Sequence, residues 1–209
     1  MYLSRSKPVF AFSCFKSKIK NLINQTLQEY NKVIAFCRDT FVKKTQDYGT
    51  AWRVLRLPSI TDQIFIKAQR IRSIQEKGVQ KVDEDITGEF VAIVNYCVIA
   101  LMQIKLLQQN DAEMTLSAER VEEMYNAEIA ETLALLENKN HDYDEAWRDM
   151  RVTSITDIIL MKLYRTKQIE DNQGQTLISE GVEANYRDMI NYAVFALIKL
   201  NFAVPHETT

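Results

Sequence analysis

A stretch of 24 residues occurs twice in this chain without a gap. Asp47 to Arg70, DYGTAWRVLRLPSITDQIFIKAQR, aligns with Asp142 to Arg165, DYDEAWRDMRVTSITDIILMKLYR, and 13 of the 24 positions are identical. After a one-residue slip the match resumes, with Asn95-Tyr96 answering Asn191-Tyr192. The offset of 95 residues is too long for a solenoid unit of about 20–50 residues. The chain therefore reads as a duplicated small domain: an extension over 1–17, one copy over 18–107, a linker over 108–114, a second copy over 115–203 and a tail over 204–209.

Each copy carries the same helical pattern. In the first, Leu22, Ile23, Leu27, Tyr30, Ile34 and Phe41 recur at helical spacing and predict a helix over Ile19 to Gln46. Its counterpart runs from Ala118 to His141. Lys43 and Lys44 are expected in the last turn, where they complement the helix dipole, and Gly49 offers a left-handed stop that Asp144 fills less well. A second helix is expected to start at Ser59, with Ser59 and Asp62, and Ser154 and Asp157, forming a capping-box variant. Ile60, Ile64, Ala68, Ile71 and Ile74 mark its buried stripe. The third helix is expected over Thr87 to Gln108 and over Val182 to Phe202. No useful length alternates with period two. The fold class is all-α: six main helices, three per copy, packed as a pseudo-two-fold bundle, because each three-helix unit is too small to bury a core alone.

Composition narrows the function classes. A net charge of −2 from 26 basic and 28 acidic residues argues against a general nucleic-acid binder. Cys14, Cys37 and Cys97 form no CxxC pair, so a reducing, cytoplasmic setting fits best, and only His141 and His206 are available to a metal centre. The apolar run from Val9 to Phe15 is too short for a signal peptide. The run from Phe90 to Leu107 is long enough for a membrane span, but Asn95, Tyr96, Gln103 and Lys105 interrupt it, which suits a core helix better. No membrane partner is expected, and the apolar faces leave self-association open.

The residues that recur are the candidates for chemistry. Asp47, Tyr48, Trp52, Arg53 and Arg56, with Asp142, Tyr143, Trp147, Arg148 and Arg151, put a carboxylate, two aromatic faces and two guanidinium groups within ten residues of each copy. Such a set suits a nucleotide or another small phosphorylated ligand: an aromatic face for the base, arginine forks for phosphate. A bracing role for Trp52 and for an Asp47–Arg53 pair is the competing reading. Lys67 and Arg70, with Lys162 and Arg165, share a helix face and extend the same anion site or pair with nearby carboxylates. Asp62 and Asp157 lie close by. On the third helices a polar seam interrupts the apolar run, Glu89, Ala92, Asn95 and Tyr96 in one copy and Asn185, Asp188, Asn191 and Tyr192 in the other. Buried polar groups are costly unless partnered, so the seam implies a polar cavity or an inter-helix network.

On the motifs Lys44, Asp47-Tyr48-Gly49, Ala51-Trp52-Arg53, Ser59 to Asp62, Lys67, Arg70 and Asn95-Tyr96, the chain resembles the first family of nucleotide modification associated domains, over about Asn24 to Leu106 and again Glu119 to Phe202. That resemblance implies an all-helical fold and a link to nucleotide or modified-base metabolism, and it specifies no reaction. More remotely, the chain is similar to the helical nucleoside triphosphate pyrophosphatases of the MazG type, which hold magnesium with an ExxE pair and a later ExxD pair. Glu128 and Glu131 form an ExxE, but Val33 and Phe36 stand there in the first copy, and the later acids are split between Glu89 and Asp188. Magnesium enters only under that alternative. A third alternative is a non-catalytic helical interaction protein.

Overall fold

A computed structural model describes residues 9–78, 86–143, 145–178 and 180–200, with side chains described from Gln25 onward and not over 137–144. It is 83% helical, and no strand occurs among the described residues. Among the described residues six helices follow one another: α1 (Val9–Tyr48), α2 (Leu57–Lys77), α3 (Ile86–Gln108), α4 (Ala118–Tyr143), α5 (Val152–Asp171) and α6 (Val182–Lys199). Short 3-10 turns, Ala51–Val54 and Ala146–Asp149, join α1 to α2 and α4 to α5.

The inner four helices form the bundle. Helix α2 packs on α3 and α5, and α6 packs on α3 and α5, while α1 and α4 flank this core. The expected stripe of α2 is buried at Ile60, Ile64, Ala68 and Ile71, and Ile155, Ile159 and Leu163 repeat it on α5. Tyr30, Ile34 and Phe41 of α1 also face inward, whereas Leu22 and Ile23 lie outside the described side chains. By length and composition α3 alone of the described helices is long and apolar enough to cross a membrane, yet most of it is buried inside the bundle.

Three local expectations need correction. Helix α2 begins at Leu57, not Ser59, and Arg56 is its N-cap. Pro58 sits in the first turn, where its missing N–H costs nothing, and the Arg56 carbonyl takes the first bonds, from Ser59 N at 2.9 Å and Ile60 N at 3.2 Å. Ser59 and Asp62 thus form no capping box. Helix α5 starts the same way at Val152 with Arg151 as N-cap, and Ser154 makes no cap bond either. Helix α1 continues to Tyr48, which moves Lys43 and Lys44 out of its last turn. Gly49 does adopt the left-handed stop, at φ +64°, and its N–H bonds Thr45 O at 2.8 Å. Asp144 lies outside the described residues. Next to it, Glu145 takes the left-handed conformation at φ +57°, unusual for a side chain of that size.

The two copies interlock. Tyr30 of α1 donates to Asn191 Oδ1 of α6 at 2.8 Å, and Tyr125 of α4 donates to Asn95 Oδ1 of α3 at 2.9 Å. Each copy's first-helix tyrosine therefore satisfies the other copy's third-helix asparagine. The middle helices repeat the exchange, with Thr61 donating to Glu170 at 2.7 Å and Gln75 donating to Thr156 at 3.1 Å. Burial pushes the Tyr30, Tyr125 and Tyr186 hydroxyls well above their ordinary range, so all three stay protonated donors.

Candidate functional site

Much of the polar seam expected on α3 and α6 is engaged within the bundle. Asn95 also donates from Nδ2 to Cys37 O at 3.0 Å, and Asn185 donates to Gly181 O at 3.0 Å. Glu89 is buried and binds both Lys67, at 3.2 Å, and Arg70. In the second copy the acid moves one turn along, and Lys162 binds Asp188 at 2.6 Å. Lys67, Arg70 and Lys162 thus neutralise carboxylates of their own copy, whereas Arg165 is exposed.

The recurrent arginines do not converge. Arg53 is buried and holds the linker, donating to Gln103 Oε1 at 2.6 Å, Asp111 O at 2.7 Å and Glu113 O at 3.0 Å. Arg148 turns to Glu145 at 2.7 Å and Glu29 at 2.8 Å. Arg56 and Arg151 are exposed at the helix starts. Asp47, Asp62 and Asp157 are exposed as well; Asp62 binds Lys167 at 2.6 Å, and Arg72 stands 3.7 Å from Asp157. The side chains of Asp142 and Tyr143 lie outside the described residues.

What the first copy does assemble is a cavity of about 610 Å³ between α1, the 3-10 turn and α3. Trp52, Tyr48, Tyr96 and Asn95 line it, as the repeat suggested, together with Phe36, Phe41, Val91, Ala92 and Ile99. Lys44 is the one cationic side chain on its wall. Tyr48 is 60% exposed, which places it at the rim, and partial burial beside Tyr96 and Asp47 raises its hydroxyl. The indole N–H of Trp52 is buried with no acceptor, and so is that of Trp147. Asn95 uses one amide N–H on Cys37, which leaves its second N–H available. The walls are thus mostly apolar and aromatic, with hydroxyls of Thr40, Tyr48, Thr87 and Tyr96 among the polar groups. Lys44 was named in the sequence only as a motif residue, recurring as Lys139, while Phe36 and Ile99 escaped the sequence reading because they look like ordinary helix core. Their signal was the difference itself: Ile99 aligns with Phe195, and Phe36 with Glu131.

The second copy fills the corresponding ground with charge. Arg187, which aligns with Val91, donates to Glu128 at 2.9 Å and Glu131 at 2.6 Å, and Lys105 reaches the same two acids at 2.8 and 2.5 Å. Burial works against the Lys105 ammonium, but the two carboxylates outweigh it and hold it above its ordinary range. The Lys105 hydrogen bond leads in pulling Glu131 below the ordinary 4.5, with Arg187 adding to it. The ExxE pair therefore already carries two cations, Glu89 carries two and Asp188 one, an arrangement that suits a magnesium site poorly. Among the described residues no group of three or more His, Cys, Asp or Glu side chains is placed to hold a metal ion.

The depressed Glu131 fixes a sign. Its contribution to stability is complete above pH 4.5 and is lost as pH falls through its lower folded value. Glu170, raised mainly by burial, works the opposite way, its contribution fading as pH rises past its folded value. Thermal melts across pH 3–7 should therefore show a fall below about pH 4.5 that Glu131→Gln makes shallower. An unchanged acid limb in that variant rules out this cluster as its source.

No curated protein and no solved structure matches this chain. Two segments, residues 44–104 and 139–200, match the family described as nucleotide modification associated domain 1. They take in most of α3 and all of α6 and reach back through Trp52 and Trp147, so the family's pattern covers the later part of each copy and much of the cavity wall, without Phe36, Thr40 and Phe41. The chain belongs to the nucleotide modification associated domain 1 family, in two tandem copies.

Proposed function

We propose that the cavity of the first copy binds a nucleoside or nucleoside monophosphate, with the base among Trp52, Tyr96 and Phe41 and the phosphate at Lys44. The observation that carries this reading is the cavity itself: concave, aromatic-walled, and bordered by one ammonium. Its volume falls within the range of about 300–1,000 Å³ typical of small-molecule sites. A single cation matches one phosphate. A triphosphate would need several more, and Arg53, Lys67 and Arg70 are spent on partners elsewhere. The family's description adds independent weight to a nucleotide ligand.

Isothermal titration against the common nucleosides and their 5′-monophosphates tests the reading, and binding of none of them overturns it. Lys44→Ala should weaken monophosphate binding about five- to tenfold, the scale of one partly exposed charge-assisted contact, and leave the nucleoside within about twofold.

A further inference from the structure

Helices α2 and α5 form one outer layer of the bundle, their principal helix contacts being with each other and with α3 and α6. They run antiparallel. Asp62 binds Lys167 at 2.6 Å, Phe65 meets Tyr164 edge to face with ring centroids 5.7 Å apart, and Arg72 stands 3.7 Å from Asp157. On the side away from the core, Ile66, Met161 and Tyr164 are 55, 48 and 54% exposed, and adjoining exposed apolar side chains mark an interaction surface. The repeat puts Asp157 in the place of Asp62, Met161 in that of Ile66 and Lys167 in that of Arg72, so the pseudo-two-fold axis passes through this face. The result is a square of charge about an apolar centre. At one end an anion of α2 lies beside a cation of α5, and at the other a cation of α2 lies beside an anion of α5.

We infer that this face docks a second copy of the chain, giving an isologous dimer through α2 and α5. The square of charge is self-complementary. A copy turned about a two-fold axis lying in the plane of the face, either along the helices or across them, sets an anion opposite every cation. Asp62 then meets Lys167 of the second copy in the first case and Arg72 in the other, while Ile66 meets Met161 and Tyr164, or a second Ile66. Glu76, which also binds Arg72 at 2.9 Å, lies one turn further out. A face of one sign would repel its own copy; this one attracts it. The size suffices. The helices have 21 and 20 residues, about 30 Å at 1.5 Å per residue, and side by side they are about 20 Å wide. That face offers about 600 Å² per copy, or about 1,200 Å² for the pair, the lower end for a specific interface and a match for a reversible dimer of micromolar Kd. The inference is independent of the ligand reading.

Sedimentation equilibrium of the full chain over about 1–200 µM tests it. The mass is expected to rise from 24.3 kDa toward twice that value. Ile66→Asp combined with Met161→Asp should weaken dimerisation about tenfold or more and leave helical content unchanged, since both side chains are about half exposed. Charge exchange tests the arrangement itself. Asp62→Lys with Asp157→Lys makes the square wholly basic, and Arg72→Glu with Lys167→Glu makes it wholly acidic. Each of these chains alone should dimerise about tenfold more weakly, and an equimolar mixture of the two should form a mixed dimer. A monomer throughout the range, a dimer that survives the Ile66 and Met161 changes, or charge-exchanged chains that do not pair overturns the inference. Where a variant fails to fold, the Met161 methyl resonance of the unaltered chain, assigned with Met161→Leu, decides. A shift that follows the dimer fraction upholds the interface, and a stationary signal while the mass doubles overturns it.

Discussion

Arg187→Ala should lower folding stability by about 3 kcal/mol, the low end of the range for stripping a buried ion pair of one partner. Arg187 and Glu128 are 9% and 1% exposed at their side chains, and Arg187 also donates to Thr132 Oγ1 and Glu128 O, both at 3.0 Å. Removing the guanidinium leaves Glu128 with Lys105 alone in a nearly dry setting. The first copy shows a different solution at the same positions, Val33 and Val91, both buried. Glu128→Val combined with Arg187→Val copies it, and should recover at least half of the loss, since a buried pair replaced by packed apolar side chains is often neutral. Chemical denaturation of the three proteins checks both expectations. A double variant no more stable than Arg187→Ala means that the charged cluster makes a net contribution the apolar pair cannot supply.

Arg53→Ala should cost about 3 kcal/mol while leaving monophosphate affinity of the folded protein within about twofold. The guanidinium ties the 3-10 turn to two linker carbonyls and to Gln103, and Gln103 in turn donates to Leu55 O at 3.2 Å. The linker has further anchors in Thr50, which donates to Met114 O at 2.8 Å, and in Arg120, which binds Asp111 at 2.5 Å. Melting temperature and titration on the same preparation separate the two roles. A loss of affinity with unchanged melting temperature would put Arg53 back in a ligand site.

The outcome at Arg53 shows where a sequence can and cannot be read. Helix count, the buried stripes of α2 and α5 and the duplication follow from periodicity and self-similarity, which are local and redundant. A side chain's destination is neither. Arg53 and Arg148 recur, yet one holds the linker and the other binds Glu29 and Glu145. Lys67 and Lys162 recur, and each finds an acid, but at positions one turn apart on α3 and α6. Identity between copies pointed to residues that hold the fold in both. Residues of the cavity wall such as Ile99 and Val91 stand where the copies disagree, against Phe195 and Arg187. The start of α2 was missed for a simpler reason: Ser59 has the chemistry of a cap, but Pro58 before it is better used inside the first turn.

The crossed tyrosine and asparagine bonds make the halves mutually dependent. Severed between residues 109 and 117, neither piece would keep the acceptor for its own tyrosine, and each alone should show little cooperative melting. Mixed in equal amounts, they should rebuild the bundle. By the same logic, a relative that carries only one such unit has to find its missing half in another molecule of itself.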